Sequence, residues 1–176
     1  MLQKCSILKV ARVFFHEPTK QHYLIEISRN TKLAHTSVKK YISILKEKKI
    51  ITETKEKKGS RVFPLFKANL QNKEYKDYKK INNLLEIKES NLISYLIDNL
   101  MPNSIVLFGS YQKGEDIEDS DIDLFLECKE ENIDISNFQL HRKIQLHFRD
   151  SFKKYPKELQ SNIINGIVLH GYLEIF

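Results

Sequence analysis

Apolar positions recur along the first seventy residues with two periods, and the change of period sets the order of elements. Ile7, Val10, Ala11, Phe14 and Phe15 fall at helical spacing, and Pro18 closes that helix. A short second helix is predicted over 23–29, with Leu24 and Ile27 facing inward and a turn at Asn30, Thr31 and Lys32. A third is predicted over 35–49. Val38, Tyr41, Ile42 and Leu45 form its buried stripe, and Thr36, Ser37, Lys39, Lys40, Ser43 and Lys46 its polar face. Two β-prone runs follow, 50–54 and 61–66, joined by a cationic loop over 55–60. Gly59 in that loop suits a turn with positive φ.

The second half opens with a stretch over 70–89 that lacks Gly and Pro, so a flexible linker is not expected. Tyr75, Tyr78, Ile81, Leu84 and Leu85 follow a helical stripe there, with lysines on the other faces. Interleaved Tyr and Lys could stack bases, but at this spacing core packing is the favoured reading. Another helix is expected at Leu92–Leu100, before Pro102. Short apolar runs at Ser104–Phe108, 122–126 and 143–148 read as strands, and 157–176 as a packing helix and a final strand. The domain plan is 1–69, a helical connector over 70–90, and 91–176. No internal repeat or low-complexity segment interrupts it.

Charge divides along the same line. Residues 1–69 hold 16 Lys+Arg against 5 Asp+Glu, whereas residues 70–176 hold 13 against 18. A basic half suits a polyanion and an acidic half can hold cations. With 10 Phe and 8 Tyr among 176 residues there is material for a core, and 5 Gly with 4 Pro exclude collagen-like chemistry. No apolar run nears the roughly 18 residues a membrane span needs, and the first fifteen residues lack a signal-peptide pattern. A soluble, cytoplasmic protein with no membrane partner is expected. Cys5 and Cys128 make no disulfide framework or metal spacing, and His141, His147 and His170 make no zinc spacing.

The chemistry concentrates in SIVLFGSYQKGEDIEDSDIDLFLE, residues 104–127. Gly109 and Ser110 end an apolar strand. Asp121 and Asp123 lie two apart in the next, so both carboxylates leave one face while Ile122, Leu124 and Leu126 leave the other. Two carboxylates on a rigid strand suit Mg²⁺, leaving positions for water and phosphate oxygens. Gly109 allows close backbone approach, and the Ser110 hydroxyl can hold a terminal phosphate. The acidic loop between, with Glu115, Asp116, Glu118 and Asp119, can also be read as merely solvated.

Two resemblances follow. Helix, helix–turn–helix, then a basic hairpin resembles a winged helix–turn–helix domain over 1–69. That resemblance implies double-stranded DNA as partner, with Thr36, Ser37, Lys39 and Lys40 of the third helix in the major groove. Lys55, Lys57, Lys58 and Arg61 would stand on the wing. Ala34 departs from the Ser or Thr expected before the third helix, a missing cap worth about 1 kcal/mol. A protein–protein adaptor is the alternative use of such a domain.

Gly-Ser, ten residues, then Asp-x-Asp resembles the polymerase-β-like nucleotidyltransferases, in particular minimal antitoxin-type members. Gly114 and Ser120 also fall where those members often carry Gly and Ser. The implied fold class is α+β, with a small mixed sheet flanked by helices. The implied site is Asp121 and Asp123 as catalytic metal ligands for Mg²⁺, with Gly109, Ser110 and Ser120 binding ATP or another nucleoside triphosphate. The resemblance also implies a third carboxylate on a later strand. Gln145 occupies the best-matching position there, with His147 next, and Glu127 and Asp150 are the available substitutes. An amide accepts a hydrogen bond but takes no proton. Asn162 and Asn165 would line the nucleotide side.

Two readings stand. In one, the protein transfers a nucleoside monophosphate, AMP foremost, to an acceptor hydroxyl, with a cognate toxin-like protein as acceptor and the winged helix giving autoregulation. In the other, it is a non-catalytic transcription regulator whose second domain senses nucleotide or binds a partner. A homodimer is compatible with either.

Overall fold

The computed structural model describes residues 5–154 and 156–174. They fall into two compact units, Met1–Lys79 and Lys80–Phe176.

In the first unit α1 (Ser6–His16) buries Val10, Ala11, Val13, Phe14 and Phe15. These pack with Ile27, Val38, Ile42 and Leu45 into one apolar cluster that also takes in Ile50, Ile51, Phe66 and Tyr75. The short strand β1 (His22–Tyr23) leads into α2 (Leu24–Thr31), whose first turn is fastened by the Tyr23 backbone N–H donating to Glu26 Oε2 at 2.9 Å. This helix runs two residues beyond the sequence expectation. The Thr31 hydroxyl is buried and donates to the Ile27 carbonyl at 2.7 Å, so the turn is made by Lys32 in the left-handed region, φ 55°. The third helix, α3 (His35–Glu47), starts without a side-chain cap at Ala34, as expected.

The hairpin corrects the expected loop over 55–60. Strands β2 (Ile51–Lys58) and β3 (Arg61–Ala68) stay paired out to Lys58↔Arg61, leaving only Gly59 and Ser60 as the turn, with Gly59 at φ 61°. Lys55, Lys57 and Lys58 are solvent-facing. A backbone ladder needs no apolar side chain on an exposed ribbon, which is why charge alone marked them wrongly as loop. Together with β1 the hairpin makes a three-stranded antiparallel sheet, order β1-β3-β2.

Helix α4 (Lys73–Ser90) holds the second correction. Tyr78 and Ile81, expected on its buried stripe, are 42% and 62% exposed. The buried positions are Tyr75, Lys79, Asn82, Asn83, Glu86 and Ile87, spaced four, three, one, three and one apart: the period is helical, but the residues are mostly polar. A hydropathy reading cannot find such a stripe.

The second unit is a mixed four-stranded sheet, order β6-β5-β4-β7, from β4 (Ser104–Phe108), β5 (Asp121–Glu127), β6 (Lys143–Arg149) and β7 (Ile167–Gly171). β5 runs antiparallel to β4 and parallel to β6. One face, through Ile105, Leu107, Ile122, Leu124 and Leu126, packs with Leu92 and Leu96 of α5 (Leu92–Leu100) and with Ile87. The other, through Val106, Phe108 and Phe125, packs with Phe152 and with Ile163 of α7 (Lys157–Ile164). That second face is only partly covered. It buries Phe125 and Glu127 toward one end and leaves Asp121 and Asp123 half-buried at the other.

Candidate functional site

The site grows from the register of three strands. Phe108, the last residue of β4, pairs with Asp123 of β5, so the chain leaves β4 beside that carboxylate. It turns there through Gly109 at φ 80° into the short helix α6 (Gly109–Lys113). The turn is close: a Cβ built on Gly109 would lie 2.6 Å from Asp123 Oδ2. Only a glycine fits this conformation and this contact together. Ser110 follows, half-buried, and its hydroxyl makes no hydrogen bond among the described residues.

On the opposite side β6 runs parallel to β5 with Asp121↔Lys143, Asp123↔Gln145 and Phe125↔His147 in register. Gln145 Nε2 donates to Asp121 Oδ2 at 3.0 Å, and His147 Nε2 lies 3.0 Å from Asp123 Oδ1. The His147 ring rests against Phe108, centroids 5.3 Å apart. Each aspartate is thus met by one side chain of β6, an amide or an imidazole, where the sequence pattern called for a third carboxylate. Two carboxylates aimed from one strand, with Asp123 Oδ2 close against the Gly109 turn, are a donor set that fits a small divalent cation.

The substitutes for the missing carboxylate do not reach it. Glu127 is 8% exposed; its carboxylate accepts from Ser104 Oγ at 3.2 Å and from the Phe152 backbone N–H at 2.8 Å. It anchors the far end of the same face. Asp150 is exposed and paired with Lys154 at 3.6 Å. Ser120, expected at the nucleotide, has its Oγ accepting from the Ile117 backbone N–H at 2.9 Å, which closes the loop before β5. Asn165 sits beyond α7 with its side-chain amide on the Ser161 carbonyl, and Asn162 is exposed.

The acidic loop is not merely solvated. Asp116 is 2% exposed and accepts from Arg142 Nε at 3.0 Å and Asn83 Nδ2 at 2.9 Å. Asn83 also reaches the Tyr111 carbonyl, and the Tyr111 hydroxyl faces Glu86 Oε2 at 3.4 Å. Burial, with Glu86 and Asp116 adding to it, pushes the Tyr111 phenol far above its ordinary range. This network ties the loop that enters β5 to the residue preceding β6, at the end of the two paired strands that carry the site. No spacing in the sequence pointed to it, because its members come from four separate segments.

In the first unit the residues expected at DNA lie as follows. Thr36, Lys39 and Lys40 are exposed on α3 and Ser37 is half-buried; Lys57, Lys58 and Arg61 stand exposed at the hairpin tip. Lys58 is drawn back toward Glu56 at 3.3 Å and lies over the Tyr23 ring, 4.7 Å from its centroid.

No helix among the described residues is long and apolar enough to cross a membrane. No curated relative matches the chain. A solved structure, a possible transcriptional regulator from Methanosarcina mazei Go1, is similar at 20% identity and a TM-score of 0.38, over 55% of this chain and 78% of that one. Residues 90–172, which contain the Gly-Ser turn, both aspartates and β6, match the family model for polymerase β nucleotidyltransferases, a fold that generally uses a nucleoside triphosphate and Mg²⁺.

Proposed function

We propose that the protein is a DNA-binding nucleotidyltransferase that moves a nucleoside monophosphate, with AMP the foremost candidate, from a nucleoside triphosphate to an acceptor hydroxyl. The observation that carries this reading is the Gly109–Asp123 contact inside a stretch that matches the nucleotidyltransferase family. Asp121 and Asp123 would hold Mg²⁺, which when bound supplies positive charge against the phosphates. The Ser110 hydroxyl would bind an outer phosphate oxygen, and Gly109 would let the backbone approach it. Gln145 and His147 orient the two carboxylates. The basic face of α3 and the hairpin tip would bind duplex DNA, and a toxin-like protein encoded alongside would be the acceptor.

Calorimetry with ATP and Mg²⁺ tests the site. Wild type binds, and the double variant Asp121→Asn with Asp123→Asn loses most of that affinity; equal affinity in both proteins overturns the metal assignment. DNA binding is tested by salt-titrated anisotropy, where each phosphate contact contributes about −0.9 to the log–log slope. Neutralising Lys39, Lys40, Lys57 and Lys58 together should flatten that slope by about 3 to 4.

A second reading, a regulator that binds nucleotide without turning it over, is favoured by Gln145 standing where an anionic group is expected. Labelled ATP incubated with the protein and the neighbouring gene product separates the two: label on an acceptor supports transfer, and tight nucleotide binding without label supports the sensor.

A further inference from the structure

We infer that the outer edge of β6 is a docking rail for an extended segment of another protein, one with acidic residues at its two ends and apolar residues at alternate positions between them. The segment would join the sheet as a fifth strand. The inference concerns binding alone and goes beyond the proposed transfer, since it needs neither nucleotide nor metal.

The backbone is the first support. β6 stands at one end of the order β6-β5-β4-β7 and pairs with β5 alone. That pairing runs without a register shift from Asp121↔Lys143 to Glu127↔Arg149, whereas the other edge strand, β7, meets an irregularity between Ile105 and Val106. A sheet edge is ordinarily blunted by a bulge, a proline or a lysine within the strand, and 144–148 holds none of them. Beyond the pairing with β5, the one backbone partner along 144–148 among the described residues is Arg149 Nη1, which donates to the Phe148 carbonyl at 3.1 Å. The other outward N–H and C=O groups form a ladder that an extended chain can complete.

The side chains select the occupant. Ile122, Leu124 and Leu126 of β5 are fully buried, but Ile144, Leu146 and Phe148, their partners in register on the same face, are only half-buried. Apolar residues of an added strand would cover them. On the opposite face Lys143 and Arg149 stand exposed at the two ends of β6, with Gln145 and His147 between. Residues 142–154 hold five Lys+Arg against one acidic residue, Asp150, within an otherwise acidic half. A second copy of this chain fits poorly. Antiparallel self-pairing about Leu146 sets Lys143 against Arg149, parallel self-pairing sets each against itself, and like charges directly opposite destabilise a strand pair. Acidic residues opposite Lys143 and Arg149 fit in either strand direction. One row of the added side chains then lies beside Gln145 and His147, on the face that carries Asp121 and Asp123.

The test uses the full chain and a fluorescein-labelled probe peptide, Glu-Val-Thr-Val-Thr-Val-Glu, without Mg²⁺ or nucleotide. Anisotropy should show it bound about tenfold more tightly than the same peptide with lysine at both ends. Lys143→Glu with Arg149→Glu should invert that order. Strand addition itself is read by N-methylation, because alternate amides of an extended chain point to opposite sides. Methyl groups on one set of alternate residues, either the second, fourth and sixth or the third and fifth, should weaken binding about tenfold. The other set should leave it unchanged within about twofold. Hydrogen exchange should show alternate amides of 144–148 protected on binding. Equal binding of the two methylated peptides overturns the inference, whether or not the charge variant folds. So does equal binding of the acidic and basic probes, or binding of neither. A dimer of the free chain with those amides already protected would put a second copy on the rail and overturns it too. A chain that takes the acidic probe in this way but binds no nucleotide supports this inference and sinks the proposed function alone.

Discussion

Gly109 and Asp123 are mutually exclusive with a side chain between them: a Cβ on Gly109 would come within 2.6 Å of Asp123 Oδ2. The glycine also sits at φ 80°, where an L-residue is strained. Gly109→Ala therefore displaces the carboxylate and strains the turn that presents Ser110. The expected outcome is a stability loss of about 1–2 kcal/mol and at least a tenfold loss of divalent-ion affinity. Thermal melting and ion titration measure the two effects separately. Retained ion affinity would mean that Asp123 does not need this position.

The buried pair Asp116–Arg142 yields a second prediction, on stability. The side chains are 2% and 4% exposed and joined at 3.0 Å. Removing one partner of such a pair leaves an uncompensated buried charge and typically costs about 3–5 kcal/mol. Arg142→Met should show a loss of that order in urea unfolding, because it removes the guanidinium that donates to the buried Asp116 carboxylate at 3.0 Å. Adding Asp116→Leu should recover most of it. If Arg142→Met alone is neutral, the pair is better hydrated than its burial implies.

The contrast between these two sites shows what the sequence could carry. The placement of Asp121 and Asp123 on one face of a strand, and of Gly109 and Ser110 at the end of another, was legible because β-strand alternation puts alternate residues on one face and a strand followed by Gly-Ser is a local pattern. The strands Ser104–Phe108 and the helix Leu92–Leu100 were read to their ends for the same reason: their apolar runs are bounded by Gly or Pro. The Asp116–Arg142–Asn83–Glu86 network was not legible. Its residues are polar, come from distant segments and look like solvated surface until the chain is folded. Glu127 misled in the opposite direction. Its parity matched the aspartates, but parity fixes only the face, and its bonds to Ser104 and Phe152 place it at the buried end of that face.

His22 supplies a pH prediction. Its side chain is fully buried, its ring meets the edge of Phe14 at 5.5 Å, and neither ring nitrogen has a hydrogen-bond partner among the described residues. Burial lowers its pKa below the ordinary 6.5. Glu17, 3.7 Å away, and Glu26 oppose that shift, and Lys20 adds to it. The unfolded chain then binds a proton that the folded one refuses. Stability contributed by the neutral ring is fully present above about pH 6.5 and falls as pH drops below it, by at most about 1.4 kcal/mol per unit. His22→Phe removes the titrating group. The difference in melting temperature between wild type and variant should shift in the variant's favour from pH 7.5 to pH 5, and an unchanged difference would show that His22 finds a partner on protonation.

Gln145→Glu tests the missing carboxylate directly. Gln145 now donates a hydrogen bond to Asp121 Oδ2 at 3.0 Å, and it stands in register with Asp123. Glutamate at the same position loses the donor and brings a third negative charge within about 4–6 Å of the other two, a range at which like charges disfavour each other. Without an ion the variant should melt several degrees below the wild type. With Mg²⁺ the order should narrow or reverse, because the third carboxylate becomes a ligand, and binding to the folded state alone stabilises it by mass action. A tenfold gain in Mg²⁺ affinity, about 1.4 kcal/mol, is the expected size. Turnover, where an acceptor is found, should rise by up to the 10²–10⁴-fold typical of general-base assistance. Melting curves with and without Mg²⁺ decide the binding part without any knowledge of the acceptor. A variant destabilised equally in both conditions would show that residue 145 faces the aspartates but not the ion, and that its amide serves only to hold Asp121 in place.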